Sequence, residues 1–458
     1  MKTTPTFQRL LPLALGLTSS AFAAPQASDI TSGIISILPT GTSVFPFPSP
    51  SDTISPIPPN VSTTVIPSSF SSIATSIVSS ASATATGSAS IGLPTPSSPP
   101  VSTPPSGGIA INDTDPQYAP LSEFDKNSLA LVLHQEYIEL DLFYTGLSRF
   151  SDAEFEAAGL TADDRYLLQY MAEQEIGHAQ MVANLLGSNA SQPCTYRYPF
   201  STVPQFLDFS KRLTRLGEAG VLGFLSHLDS RPVAALLSQT VTTEARQQMV
   251  FRQLQGMFPM PVWFQTGITQ SMHWTMLARY IDTCPDGTQN LAWNNFPGLN
   301  VTNEPELSNG NSSSTGNSDD ADGGPAVTRN ATQPLSTPGR NVTLSWELPG
   351  QHVGWNNSFT TATAAGEPKF VAWISQLNVT YTPLTITANQ SGTTTQPGGE
   401  IFGNGPQSVV ERFGNHSAPI VNATVFVAIT DEDTFVTPFN LTFLDGHIVA
   451  GPTLYTSG

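Results

Sequence analysis

Cysteine is almost missing from this chain, which has Cys194 and Cys284 and no others. That excludes a disulfide-rich scaffold, and neither cysteine has a Cys or His at ligand spacing, which argues against a zinc site built on the pair. In an oxidising compartment the two would join in one disulfide, closing a loop of about 90 residues worth roughly 4 kcal/mol through the unfolded chain; two buried free thiols are the alternative. Charge is scarce too, at 11% of residues, and leans acidic, with 35 Asp and Glu against 17 Lys and Arg and a net charge of -18. That sign argues against nucleic acid or anionic lipid as a main partner. Long hydrophobic runs are lacking. Nothing after the N-terminus approaches the roughly 20 apolar residues of a spanning helix, so no membrane span is expected. The stretch Leu454-Tyr455-Thr456-Ser457-Gly458 is not the hydrophobic tail of a GPI anchor.

At 458 residues the chain exceeds one core of typical size, and two folded units are expected. Lys2 and Arg9 precede an apolar run over 10–17, followed by the small-residue site Ala21-Phe22-Ala23, so residues 1–23 read as a secretory signal peptide. A secreted location follows, extracellular or in a cell wall. Sequons at Asn60, Asn112, Asn189, Asn300, Asn311, Asn330, Asn341, Asn356, Asn378, Asn389, Asn415, Asn422 and Asn440 suit a glycoprotein. Residues 24–118 are dominated by Ser, Thr, Pro and Ala and cannot bury enough apolar surface to order themselves, so they read as a disordered, O-glycosylated stalk. Residues 291–338, rich in Asn, Ser and Gly, read as a linker. Wall or matrix carbohydrate is the macromolecular partner that this organisation suits.

Between stalk and linker, residues 119–290 read as helical. Ser122 with Asp125 and Thr161 with Asp164 stand like capping boxes before the first two helices, and Gly187 ends the second. Pro204 and Pro232 fit the first turns of a third and a fourth helix. Pro259 and Pro261 stop the fourth, and a shorter helix is expected over Thr269–Ile281. Residues 339–458 read as a smaller, sandwich-like β domain: Val425–Ile429 is a β-branched and aromatic run, and Leu441–Leu444 and His447–Ala450 flank Asp445-Gly446 like a hairpin.

Each long helix has an apolar seam at 3-4 spacing, and each seam is interrupted by a residue too polar for a core. The seams run Leu129, Leu133, Glu136, Leu140, Phe143; then Leu168, Met171, Glu175, His178, Val182; then Thr214, Glu218, Val221, Leu225; then Leu237, Thr240, Glu244, Gln247, Phe251. A carboxylate buried there must be protonated, paired or bound to a cation, since bare desolvation costs several kcal/mol. The pattern fits the carboxylate-bridged dimetal plan of a four-helix bundle, with one Glu from each of two helices and Glu-x-x-His from the others.

Leu133-His134-Gln135-Glu136-Tyr137-Ile138-Glu139-Leu140-Asp141-Leu142-Phe143-Tyr144, Glu173-Gln174-Glu175-Ile176-Gly177-His178 and Glu244-Ala245-Arg246-Gln247-Gln248 resemble the helix motifs of a known family. It is the ferritin-like domain of secreted fungal stress-response and late-sexual-development proteins, related to bacterial desiccation-associated proteins. Phe258–Phe264, Trp373–Leu384 and Thr430–Leu454 are similar to the fungal members as well. The resemblance implies a ferritin-like bundle, one or two iron or manganese ions, and a role in stress or developmental survival at the cell surface. An active member would be a metal-dependent oxidoreductase acting on oxygen or peroxide.

One position departs from the plan: Gln247 stands where a second histidine is expected, and an amide oxygen is a poor substitute for imidazole. The expected metal set is therefore Glu136, Glu175, His178, Glu218, Glu244 and Gln247, with the second position weak or empty. Against it stands a metal-free polar network in which Arg165, Arg215 and Arg246, or Tyr144, Tyr166 and Tyr170, satisfy the acids of a non-catalytic wall or matrix scaffold. Glu139 and Asp141 lie off the best seam and read as solvated. His134, His227 and His273 read as ordinary core or surface histidines, any of which could replace the missing ligand. Trp263, Trp274 and Phe264 are expected to plug the bundle end.

Overall fold

The computed structural model describes residues 117–305, 334–399 and 420–458. The signal peptide, nearly all of the stalk, most of the linker and the sequons at Asn60, Asn112, Asn311, Asn330 and Asn415 lie outside them.

Four long helices carry the N-terminal half: α1 (Glu123–Arg149), α3 (Ala162–Leu186), α4 (Val203–Leu225) and α5 (Arg231–Leu254). A single-turn-and-a-half α2 (Asp152–Ala157) and a short α6 (Gln270–Leu277) complete the set among the described residues. Their starts follow the capping chemistry. The Thr161 hydroxyl accepts the Asp164 N–H while the Asp164 carboxylate accepts the Thr161 N–H, and Ser151 with Glu154 does the same ahead of α2. Thr202 and Ser230 cap α4 and α5, with Pro204 and Pro232 in their first turns. At α1 only half the box forms. Ser122 accepts the Asp125 N–H, but the Asp125 carboxylate turns to the backbone N–H groups of Leu121, Asp229 and Ser230, tying the start of α1 to the α4–α5 turn. Gly187, at φ 57 and ψ −125, ends α3.

The strands are β1 (Thr195–Tyr196) with β2 (Ile281–Thr283), clamped by the Cys194–Cys284 disulfide, and two four-stranded antiparallel sheets. One sheet is ordered β3 (Leu299–Val301), β4 (Asn341–Trp346), β10 (Ser391–Thr395), β9 (Thr385–Ala388). The other is ordered β12 (Ile448–Thr456), β11 (Thr424–Thr430), β7 (Phe370–Ser375), β8 (Asn378–Pro383). A small hairpin of β5 (His352–Val353) and β6 (Phe359–Thr360) lies between β4 and β7 in sequence. Strand β11 is buried at every position because its sheet is covered on both faces. Val425, Val427 and Ile429 meet Val342 and Leu344 of the other sheet, whereas Phe426, with Ala372 and Ile374 of β7, joins the core of Leu213, Leu216 and Phe251 from the helices. Helices and strands thus share one hydrophobic core.

Three expectations fail here. Leu441–His447 is a 3-10 helix, not half of a hairpin: Leu441 and Leu444 are buried and the Asp445 carboxylate accepts the Thr269 hydroxyl at 2.7 Å. The start of the expected linker is packed, since Leu291, Phe296 and Val301 are buried and β3 edges a sheet; composition alone hid these apolar residues among Asn and Gly. Trp274 is fully buried, but Trp263 and Phe264 are about half exposed and so do not plug the bundle.

Helix α4 carries Gly217, Gly220 and Gly223 at i, i+3 and i+6. At Gly223 an added Cβ would lie 1.7 Å from the Ile268 carbonyl oxygen, a backbone atom that has no rotamer in which to escape. Gly223→Ala should destabilise the protein by about 3 kcal/mol. A lowered urea midpoint at unchanged slope is the expected reading; an unchanged midpoint would contradict so close an approach.

Candidate metal centre

Three helices each offer two polar side chains one turn apart: Glu136 and Glu139 on α1, Glu175 and His178 on α3, Glu244 and Gln247 on α5. The i, i+3 spacing puts both members of each pair on one face. All four glutamates and Gln247 are buried, and His178 is nearly so. Ligand atoms of Glu136, Glu175 and His178 lie within 4.8 Å of one another, and so do those of Glu136, Glu139 and Glu244. Glu136 belongs to both groups, so the two share one carboxylate.

Part of the cluster is satisfied from within. His178 Nδ1 lies 3.0 Å from Glu175 Oε2 and 3.4 Å from Glu136 Oε2. Gln247 Nε2 donates to Glu175 Oε1 at 2.6 Å, and Gln135 Nε2 donates to Glu139 Oε1 at 2.6 Å. Of the remaining oxygens, Oε1 of Glu136, Oε2 of Glu139, Oε2 of Glu244 and Oε1 of Gln247 have no hydrogen-bond partner among the described residues, and Oε2 of Glu136 has the 3.4 Å contact with His178. A buried acceptor normally finds a donor, so this converging set of bare oxygens fits a cation.

The electrostatics agree. Burial pushes the Glu136 carboxyl up to about 7 against the pull of His178. Burial, then the neighbouring acids, holds Glu139 and Glu244 well above the ordinary carboxylate range. Burial alone would lower His178, but hydrogen bonds and charge from Glu136 and Glu175 outweigh it and raise the imidazole far above its usual value. Without a cation such a cluster holds protons, which a divalent ion would displace.

One member of the expected set, Glu218, lies outside both groups, and Glu139, which was not in the set, lies inside one. Glu218 is buried and belongs to neither group: its Oε2 accepts from Arg215 at 2.8 Å, Arg215 also reaches Gln265 at 2.6 Å, and its Oε1 has no partner among the described residues. The α4 residue beside the cluster is Gly217, where a Cβ would lie 2.8 Å from Glu139 Oε1. Helix α4 thus gives space, and Glu139, expected in solvent, fills it. Asp141 is outside the cluster and accepts the Tyr198 hydroxyl at 2.7 Å. Of the arginines expected as alternative partners, Arg215 does pair with one acid of the expected set, Glu218, whereas Arg165 pairs with Asp152 and Arg246 reaches Thr243. Tyr166 and Tyr170 are exposed, and the buried Tyr144 hydroxyl has no partner among the described residues.

None of the three histidines considered for the missing ligand supplies it. His134 stacks on Trp355 at 5.0 Å, His227 lies against Phe439 at 4.8 Å, and His273 bonds to Gln135 through Nε2 at 2.8 Å. The i−3 spacing of Arg215 to Glu218 was the sequence signal that could have withdrawn Glu218 from the set.

Residues 124–257 match the ferritin-like domain family, a span that runs from the first turn of α1 to just past the end of α5 and includes every residue of the cluster. Over 364 residues the chain is 50% identical to Protein rds1 of Schizosaccharomyces pombe, which covers 78% of this chain and 87% of that protein. With half its residues shared over nearly the whole of that relative, and the match to the domain lying on the helices that converge their acids, this chain belongs to the family of Protein rds1 and carries its carboxylate cluster in a ferritin-like domain.

Proposed function

We propose that the protein is a secreted, glycosylated metalloprotein whose four long helices form a ferritin-like four-helix bundle holding iron or manganese, and whose two sheets pack as a sandwich. The observation that carries the metal reading is the set of bare buried oxygens on Glu136, Glu139 and Glu244 around the Glu175–His178 pair. Hard carboxylate oxygens with one imidazole are the donor set that suits these ions. In this reading Glu175 and His178 hold one position, Glu139 and Glu244 hold the other, and Glu136 lies between them. Gln247, tied by its amide N–H to Glu175, orients that carboxylate rather than acting as the second imidazole. Iron so held would supply electron exchange with oxygen or peroxide. The family likeness supports a role in stress or developmental survival. For glycans, Asn189, Asn300, Asn341, Asn356 and Asn389 are exposed, whereas the Asn422 amide donates to the Pro261 carbonyl.

A second reading, a metal-free scaffold in a wall or matrix, draws on the internal neutralisation of Glu175 by His178 and Gln247. Metal analysis of protein purified without chelators separates the two. The metalloprotein should carry about one equivalent or more of Fe or Mn and lose melting temperature in chelator; metal-free protein indifferent to chelator would leave the scaffold.

A pH titration adds a second arm. Carboxyls raised in the fold favour the protonated state, so they cost stability as pH climbs above their unfolded values, and the raised His178 does the same above its ordinary value. His134 and His273, lowered by burial to about 4 and about 3, act in the opposite sense, but only below the ordinary histidine value. Between about pH 6.5 and 8.5 the metal-free protein should therefore lose stability while its affinity for Mn(II) rises. A flat melting profile with pH-independent uptake would contradict the assignment.

A further inference from the structure

Outside the cluster, the most completely buried polar device that the metal reading leaves unused runs from α6 to α1. His273 Nε2 lies 2.8 Å from Gln135 Oε1, Gln135 Nε2 lies 2.6 Å from Glu139 Oε1 and 3.1 Å from the Leu213 carbonyl, and all three side chains are fully buried. The amide orientation is fixed by its surroundings. Turning it over would set Gln135 Oε1 against two oxygens, Glu139 Oε1 and Leu213 O, and its NH2 against His273. With Oε1 of Gln135 as acceptor, His273 must carry its proton on Nε2. Its Nδ1 is then a bare acceptor, and it has no partner among the described residues. The chain makes room for this arrangement on α4. A Cβ at Gly220 would lie 2.0 Å from His273 Nδ1, and one at Gly217 would lie 2.9 Å from Gln135 Nε2.

We infer that His273, acting through Gln135, is a positioning residue for the metal centre: it locks the amide that pins Oε1 of Glu139 and so presents Oε2 to the cluster. This rests on the metal reading. A carboxylate held at one oxygen can turn neither its bare oxygen away nor both oxygens inward, which biases it toward binding through one atom. The logic is that of an outer hydrogen-bond shell, whose loss weakens metal binding without removing a ligand. Because the Leu213 carbonyl also holds the amide, the loss should be graded, not total.

The test is Mn(II) affinity of the full-length metal-free protein, measured by competition with a chelator. Glu139→Gln should weaken binding strongly. His273→Phe keeps the ring volume and removes the donor, and should weaken binding about tenfold to a hundredfold; His273→Gln, whose amide nitrogen can reach the same position, should restore most of it. A purely structural role would show as a fall in melting temperature that His273→Gln does not relieve in affinity. If His273→Phe does not fold, the wild-type protein decides: a histidine 15N spectrum should show the Nε2-protonated tautomer of His273 and a shift of that signal on Zn(II) loading. No Mn(II) binding by wild type would overturn the metal reading itself. Wild-type binding with His273→Phe unaffected, or an unmoved His273 signal, would overturn this inference and leave that reading intact.

Discussion

Glu136→Gln should bind no Mn(II) or Fe(II) at either position and yet melt higher than the metal-free wild type. Both effects come from the place of one carboxylate. Glu136 is shared by the two ligand groups, so removing its charge breaks each of them at once. In the metal-free protein the same group is a liability, buried, held by His178 only at 3.4 Å and raised to about 7. The amide keeps the shape, loses the charge, and brings an NH2 that can serve the bare Oε2 atoms of Glu139 and Glu244. His178 keeps its 3.0 Å partner Glu175. A gain of about 1–3 kcal/mol is expected at pH 8, read as a rise of a few degrees in calorimetry, together with a loss of affinity exceeding about a hundredfold in a metal titration. A variant that melts lower than wild type would mean that Glu136 belongs to a satisfied polar network, and the scaffold reading would then stand.

The helices were legible because their ends are written in local chemistry. Thr161 with Asp164, Pro204, Pro232 and Gly187 act within a turn of where they stand, and no distant contact overrides them. The cluster was only partly legible. Choosing one seam per helix presumes that a helix has one buried face. Helix α1 does not: Leu131 through Glu136 and Ile138 through Leu140 are all buried, because α3, α4, α6 and the segment around Trp355 cover most of its circumference there and leave Tyr137 half-buried. Under that condition Glu139 is as internal as Glu136, and the seam rule put it in solvent. Glu218 lies outside both groups for a different reason. The seam rightly made it internal, but the interior of α4 has two sides, one toward the cluster and one toward Arg215 over the Phe426 ring of β11. The i−3 spacing to Arg215 offers a partner, but the surroundings of that pair include a strand some two hundred residues away in sequence, which no local period contains.

The β region shows the same limit. The continuous run Val425–Ile429 announced a strand, and its lack of alternation is explained by a sheet covered by helices on one face and a second sheet on the other. Asp445-Gly446 had the look of a turn between strands. Its carboxylate is instead bound to Thr269 at the start of α6, and burial raises it to about 6. A tertiary hydrogen bond from another element decided the local structure there.

Replacing both Cys194 and Cys284 by Ala is expected to have the largest effect on stability and almost none on the metal centre. The disulfide spans 90 residues and joins the connection after α3 to the strand after α6, so the closed loop contains α4, α5 and α6. Opening it frees the unfolded chain, which the loop-closure argument sets at roughly 4–5 kcal/mol, a drop on the order of 10 °C in melting temperature. In the fold, the Thr195–Thr283 pairing beside the clamp remains, as does the stack of His134 on Trp355. None of the residues whose ligand atoms converge lies on either side of the bond, so Mn(II) affinity should stay within about threefold of wild type, as expected for independent sites. The two variants therefore separate what the core does from what the cluster does: Glu136→Gln should raise melting temperature and abolish binding, while the cysteine pair should lower melting temperature and spare binding. If the cysteine variant loses metal as well, the position of α1 depends on the clamp through His134, whose Nδ1 lies 3.8 Å from Cys194 Sγ, and the carboxylates are held together by that covalent tie and not by packing alone.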